Sequence, residues 1–171
     1  MQTETLLMIS GAITCLAAVP FALPAQTTVS RSATVAAPAS DLYKILNSNR
    51  GFQTFNPYKD TEPDLKIEFF GPEEGTGSGF HFDGKDGKGT QTIRETVVDE
   101  RVIMDIDLGA FGAPVQTFEL NESGDSTDVT WTVVSSHGLN PAKRIFGTFM
   151  HKLFGPTYDR GLKNLKRNLE Q

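Results

Sequence analysis

Three histidines and a single cysteine are the side chains that would most directly support metal binding or nucleophilic chemistry. His81, His137 and His151 are far apart in the sequence and lack the short spacing of a zinc-binding helix motif. Cys15 lies in an apolar run with neither a second thiol nor a neighbouring histidine, so it predicts neither a disulfide nor a redox centre. The sequence therefore indicates no metal site and no cofactor.

Acid–base chemistry has equally little support. His137, in "SSHG", is interpreted as a turn residue, with a place at a cavity mouth or in proton transfer as the alternative. Asp105 and Asp107 alternate with Met104 and Ile106, which places the two carboxylates on the opposite face of their strand. We interpret them as a solvated stripe, because paired catalytic carboxylates need mutual reach and contrasting environments. The sequence contains no Gly-x-Ser-x-Gly motif and no phosphate loop, so no catalytic residue is assigned.

Enclosure of an apolar ligand is the remaining kind of chemistry. Methionine and phenylalanine adapt their packing to irregular ligands and suit a permissive pocket. Strand alternation and helical spacing give these candidate cavity-lining residues: Phe80, Phe82, Ile93, Met104, Ile106, Phe118, Trp131, Phe146, Phe149 and Met150. Each has two interpretations, a ligand contact or a residue of an ordinary core.

The elements that would position these candidates follow from periodicity and chain breakers. Residues 27–37 alternate as a first strand, and Pro38 suits the opening turn of a helix. Residues 47–63 predict a short second helix and a structured loop. From Leu65 to Ser135, short alternating segments separated by turn residues predict six strands of an antiparallel meander.

The C-terminal segment predicts one amphipathic helix from Pro141 nearly to Leu169, with Asn140 as its N-cap. Gly155 and Pro156 lie inside this pattern. Proline lacks a backbone N–H and crowds the preceding turn, so we expect a kink near residues 152–156. Such a bend would let both arms of the helix follow a strongly curved sheet.

Length and charge limit the function classes. The 171 residues fit one domain with a sizeable core. The 16 basic and 21 acidic residues are interspersed, which argues against a nucleic-acid partner.

An uncharged run from Leu6 to Ala25 precedes the predicted first strand, and as a helix residues 6–23 would span roughly 27 Å. The run is either a retained membrane anchor or a secretory signal removed near Ala25, which would leave the protein secreted or periplasmic. "MQTET" has no lysine or arginine and Leu23 is bulky for a cleavage site, so the anchor is favoured. Residues 1–26 thus form an anchor or signal segment, and residues 27–171 a ligand-binding domain.

Five segments carry a family resemblance in their order along the chain: "RSATVAAPASDLYKIL", "FNPYKD", "GTGSGFHFDG", "TDVTWTV" and "LFGPTYDRGLKNLK". From about residue 29 to residue 170 the chain resembles the polyketide cyclase and dehydrase-like branch of the helix-grip superfamily. Birch-pollen-type allergens and steroid-acute-regulatory lipid-transfer domains share this superfamily. The resemblance implies an α+β fold, with a curved antiparallel seven-stranded sheet wrapped around a long kinked C-terminal helix and an N-terminal apolar helix. Around the "NP" motif, where relatives often have tryptophans, this chain has Phe52, Phe55 and Tyr58.

The resemblance also implies a deep, largely apolar cavity, used in relatives for lipids, sterols, polyketides or quinones, and carries over no catalytic residue. Our leading hypothesis is binding or carriage of a hydrophobic small molecule by a domain tethered at a membrane through residues 6–23. One alternative is a cyclase or aromatase-type enzyme that uses His137, Tyr58 or an inward-facing acid for proton transfer. Another is an interaction module whose groove receives a partner segment.

Overall fold

The computed structural model describes residues 22–85 and 87–170. Cys15 and nearly all of the apolar segment predicted over residues 6–23 lie outside these ranges. Within them, no helix is long and apolar enough to cross a bilayer.

Seven strands and five α-helices make up the described chain. In chain order they are β1 (Gln26–Val35), α1 (Ala39–Leu46), α2 (Asn49–Phe55), α3 (Pro57–Thr61), β2 (Lys66–Phe70), β3 (Gly79–Gly84), β4 (Gly87–Val97), β5 (Arg101–Asp107), a 3₁₀ turn (Gly109–Phe111), β6 (Val115–Ser123), β7 (Ser126–Ser136), α4 (Pro141–Gly147) and α5 (Met150–Leu169). The predicted strand, helical pair, meander and C-terminal helix are all present in this order.

All seven strands form one antiparallel sheet in the order β1-β7-β6-β5-β4-β3-β2. The register aligns one inner row across five of them: Val29, Val133, Gln116, Met104 and Ile93. Every residue of this row is buried. The faces predicted from alternation are confirmed, since Asp105 and Asp107 are exposed on the other side of β5. The α+β helix-grip fold is confirmed as well.

Helix α5 packs on β1 and also contacts β7, α2 and α3. Its buried face includes Tyr158, Gly161, Leu162 and Leu165. Gly161 is required where the helix crosses β7, because a Cβ there would lie 2.5 Å from Cζ3 of Trp131. The sheet and the helix therefore enclose a common core at this point.

The predicted uninterrupted helix is wrong in one respect. The C-terminal segment breaks at Thr148 and Phe149, before the Gly-Pro pair, and Pro156 lies inside α5. The backbone N–H of Thr148 donates to the carbonyl of Ile145, and that of Phe149 to Phe146, over 3.2 and 3.0 Å. These tighter i→i−3 bonds satisfy the backbone at the break, which directly follows Gly147, the last residue of α4.

Gly155 has a packing role that the sequence does not reveal. A Cβ at this position would clash with Nη2 of Arg31, which reaches from β1 to α5. The guanidinium Nε of Arg31 donates to the carboxylate of Asp159 over 3.2 Å. Gly155 therefore lets the helix approach the strand at the point where this pair forms.

We predict that Gly161→Ala destabilises the fold by about 1–3 kcal/mol, because the new methyl group overpacks against Trp131. Alanine by itself favours a helix over glycine by about 1 kcal/mol, so the sign of the effect separates packing from helix propensity. Denaturant unfolding with Lys163→Ala, an exposed site on the same helix, as the control measures the difference. A higher midpoint for Gly161→Ala would contradict the packing argument.

Candidate functional site

Aromatic rings fill the interior beneath the middle of α5. The ring of Trp131 lies 4.9 Å from that of Phe118 and stacks on Tyr158 at 4.8 Å. From α2, Phe52 and Phe55 meet Trp131 edge-on, and all five side chains are buried. This region is a packed core, so the inner face can accept a ligand only elsewhere along the sheet.

Buried amides adjoin this core. The indole Nε1 of Trp131 donates to Oε1 of Gln116 over 3.0 Å. The side-chain nitrogens of Gln116 and Gln91 both point at the sulfur of Met104, at 3.2 and 3.1 Å. A thioether is a weak acceptor, so each of these two amides directs one of its hydrogen bonds at a weak partner.

The amide network continues into α2. Gln91 donates to Oδ1 of Asn49 over 3.0 Å, and Asn49 donates to the carbonyl of Ser78 over 2.7 Å. The carbonyl oxygen of the Gln91 side chain receives no hydrogen bond from any described residue. These amides were missed by our sequence reasoning. The only signal for them is a polar side chain on the inward side of an alternating strand.

Towards the other end of the sheet, the inner face is incompletely covered. Ile67, Phe82 and Ile106 lie on this face but are only half-buried. Phe154 of α5 is also half-buried and, like Ile67 and Phe82, packs against the core. We call Ile67, Phe82 and Ile106 the apolar opening. In register, Gln91 lies directly between Phe80 and Ile106, so a buried amide borders it.

Helices α5 and α4 carry the aromatic series outward from the core. The ring of Phe154 lies 6.4 Å from Tyr158, and that of Phe146 lies 6.5 Å from Phe154. Burial falls along this series, from Tyr158 in the core to Phe146 at 50% exposure. An apolar surface thus leads from the core to the outside of the domain.

The ten predicted lining residues occupy three environments. Two half-buried residues belong to the apolar opening, Phe82 and Ile106. Two are exposed on the helical side, Phe146 and Phe149. The others are buried: Phe80, Ile93, Met104, Phe118, Trp131 and Met150. Of these, Phe118 and Trp131 are part of the packed aromatic cluster, whereas Met104 lies beside the amides.

Two open depressions lie elsewhere, with volumes of about 520 and 470 Å³. The first is lined mainly by polar residues of β1, β6 and β7, including Ser32, Asp128 and Thr130. The second surrounds the β4–β5 turn and includes Asp99 and Glu100. Their polar linings do not suit an apolar ligand.

His137 is buried near the start of β1. Its Nε2 lies 2.8 Å from the hydroxyl of Thr27, and its backbone N–H donates to Ala25. Burial, and then the charges of Lys143 and Arg144, lower the pKa of His137. This environment favours the neutral form of the imidazole, and the hydrogen bond with Thr27 holds the ring in place.

The other proton-transfer candidates can be located as well. Tyr58 is more than one-third exposed and interacts with Tyr158. Burial, followed by the charge and hydrogen bond of Tyr58, raises the pKa of Tyr158, which therefore stays protonated at physiological pH. The buried polar groups of residues 22–85 and 87–170 include no Asp or Glu.

Comparison with known proteins places this fold in context. Residues 26–170 match the family model described as polyketide cyclase / dehydrase and lipid transport. No curated protein matches the chain significantly.

Three solved structures show the same fold. A point mutant of norcoclaurine synthase from Thalictrum flavum, in complex with a transition-state analogue, is 15% identical with a TM-score of 0.64, over 84% of this chain and 94% of that one. A protein from Thermobifida fusca is 16% identical with a TM-score of 0.62, over 83% and 92% of the two chains. A protein from Nitrosospira multiformis is 17% identical with a TM-score of 0.60, over 83% and 95%.

We predict that His137 makes stability depend on pH. Because its folded-state pKa lies below the ordinary value of 6.5, the unfolded chain binds more protons between the two values, and stability falls as pH falls through that window. His137→Asn should therefore lose less free energy of unfolding between about pH 7 and pH 5 than the wild type. The exposed His151→Asn should behave as wild type. Equal slopes for all three proteins would contradict the assignment.

Proposed function

We propose, because this chain belongs to the polyketide cyclase / dehydrase and lipid transport family, that it binds or carries a hydrophobic small molecule of the lipid, polyketide or quinone class. The ligand would lie against the apolar opening. The domain would be held at a membrane by its N-terminal segment. Ligand binding and the membrane location are supported by different observations.

The observation that carries the first part is the contrast between the two ends of the inner face. One end is filled by the rings around Trp131, whereas at the other the apolar side chains of Ile67, Phe82 and Ile106 remain half-buried. Covering apolar surface is favourable by about 25 cal/mol per Å². A flat or flexible apolar molecule can gain this energy at the opening without displacing the core.

The bordering amide adds a polar element to the recognition. Gln91 lies between Phe80 and Ile106, and its side-chain carbonyl receives no hydrogen bond from a described residue. It can accept a hydrogen bond from a hydroxyl group at the buried end of a ligand. Such a group would orient a mainly apolar molecule, as the few polar contacts in apolar pockets generally do.

Two lysine substitutions on one strand test this site. Ile106 and Ile103 are both half-buried on β5 but lie on opposite faces of the sheet. We expect Ile106→Lys to weaken binding of a dansylated fatty acid by about tenfold or more, because an ammonium group on the inner face disfavours apolar contact. The fluorescence of the dansyl group measures the affinity.

Ile103→Lys is the matched control and should retain wild-type affinity. Near-ultraviolet circular dichroism of the core aromatic residues reports whether each variant is folded. Equal affinities for two folded lysine variants would refute binding at the apolar opening. Mass spectrometry of lipids that co-purify with the wild type identifies the natural ligand class.

The second part of the proposal places the domain at a membrane through residues 6–23. The uncharged run is long enough to cross a bilayer as a helix, and "MQTET" lacks the positive charge of a typical secretory signal. The guanidinium Nη1 of Arg144 donates to the carbonyl of Leu23 over 3.1 Å. The chain therefore enters the domain beside α4.

We expect the mature protein to keep its N-terminal segment and to remain with membranes after an alkaline carbonate wash. N-terminal sequencing and fractionation of the expressed full chain measure this. A variant lacking residues 6–23 should move to the soluble fraction. A mature chain that starts near Gln26 would instead establish the cleaved, secreted or periplasmic alternative.

A further inference from the structure

An exposed apolar surface spans the break between α4 and α5. Ile145, Phe146, Phe149 and Leu153 recur at intervals of one to four residues, and each is 45–55% exposed. Leu139, just before α4, is 78% exposed. We call these five residues the α4–α5 surface. Such a concentration of exposed large apolar side chains is unusual for a surface that faces only water.

The neighbouring 3₁₀ turn extends this surface. The ammonium group of Lys143 donates to the carbonyl of Ala110 over 3.0 Å, which holds the turn against α4. Phe111, the next residue, is 83% exposed. Apolar side chains from two separate segments are therefore presented on the same side of the domain.

The charged side chains along α4 and the first turns of α5 are all basic, whereas the exposed Asp107 lies just before the 3₁₀ turn. Residues 129–158 contain no Asp or Glu, although the whole chain has a net charge of −5. The same stretch contains Lys143, Arg144 and Lys152, of which Lys152 is exposed. Helical segments with exposed Phe and Leu beside basic residues are typical of proteins that lie in the interface of an anionic membrane.

The path of the chain agrees with this environment. Arg144 of α4 binds the carbonyl of Leu23, and the backbone of His137 binds that of Ala25. The last residues before β1 therefore lie beside α4, at the side of the domain that carries the apolar residues. Any segment that holds the chain at a bilayer from its N-terminus would bring this side closest to the lipid.

We propose that the α4–α5 surface docks on an anionic lipid bilayer, with its apolar side chains in the headgroup region and Lys152 near the lipid phosphates. This contact does not depend on ligand binding at the apolar opening. It differs from an N-terminal tether as well, because it orients the domain with α4 and α5 towards the bilayer. A side chain at position 149 then contacts lipid, whereas one at position 98 does not.

Tryptophan quenching by brominated lipid distinguishes orientation from tethering. Phe149→Trp places a reporter on the α4–α5 surface, and Val98→Trp places one at the 67% exposed β4–β5 turn. The native Trp131 is buried but also fluoresces. Its emission is measured in the wild-type chain and subtracted as background. Each full-length variant is added to preformed vesicles that contain brominated phosphatidylcholine, with or without phosphatidylglycerol.

We expect emission from the reporter at position 149 to fall by about twofold or more on vesicles that contain phosphatidylglycerol, and emission from the reporter at position 98 to stay unchanged. Lys152→Glu in the Phe149→Trp background should reduce the quenching, whereas Lys163→Glu, farther along α5, should not. Equal quenching at both positions, or none at position 149, would overturn the proposal. So would a concentration-dependent blue shift of the Phe149→Trp variant without lipid, since a second copy of the chain would then cover the surface.

Discussion

The contact between Trp131 and α5 determines how the rest of the molecule is arranged. Trp131 stacks on Tyr158, fits against Gly161, and donates its indole N–H to Gln116. A buried tryptophan requires a hydrogen-bond acceptor as well as apolar neighbours, and β6 and α5 supply both. The contact fixes the helix over the β1–β7 side of the sheet, while the inner face nearer β3 and β5 is covered less completely.

This unequal coverage would let one fold have both a solid core and the proposed ligand site. The stacked rings supply stability at one end, where a cavity would be costly. At the apolar opening the same sheet presents side chains whose burial is incomplete, next to amides that each direct one hydrogen bond at a sulfur atom. A molecule bound there would complete both the apolar and the polar contacts.

The aromatic series along α5 and α4 connects the core to the α4–α5 surface. The ring of Phe154, which packs against the core, lies 6.5 Å from that of Phe146, which belongs to the exposed surface. If that surface lies in lipid, an apolar molecule that leaves the bilayer first meets apolar side chains rather than water. The two proposals are separate, but together they describe a route for a hydrophobic ligand.

The sequence by itself determined the succession of strands along the chain and the two faces of the sheet, because alternation of Met104 and Ile106 with Asp105 and Asp107 is a local pattern that burial enforces. That β1 pairs with β7 is visible only in the tertiary structure. It also determined the start of α4, since Asn140 caps the helix and proline fits its first position. The tertiary structure alone decided that Phe118 and Trp131 pack while Phe146 and Phe149 remain exposed. Helical spacing shows which residues share a face of the helix. Which of them are buried depends on how the helix docks, and the break at Thr148 and the glycines that face β1 and β7 decide its position.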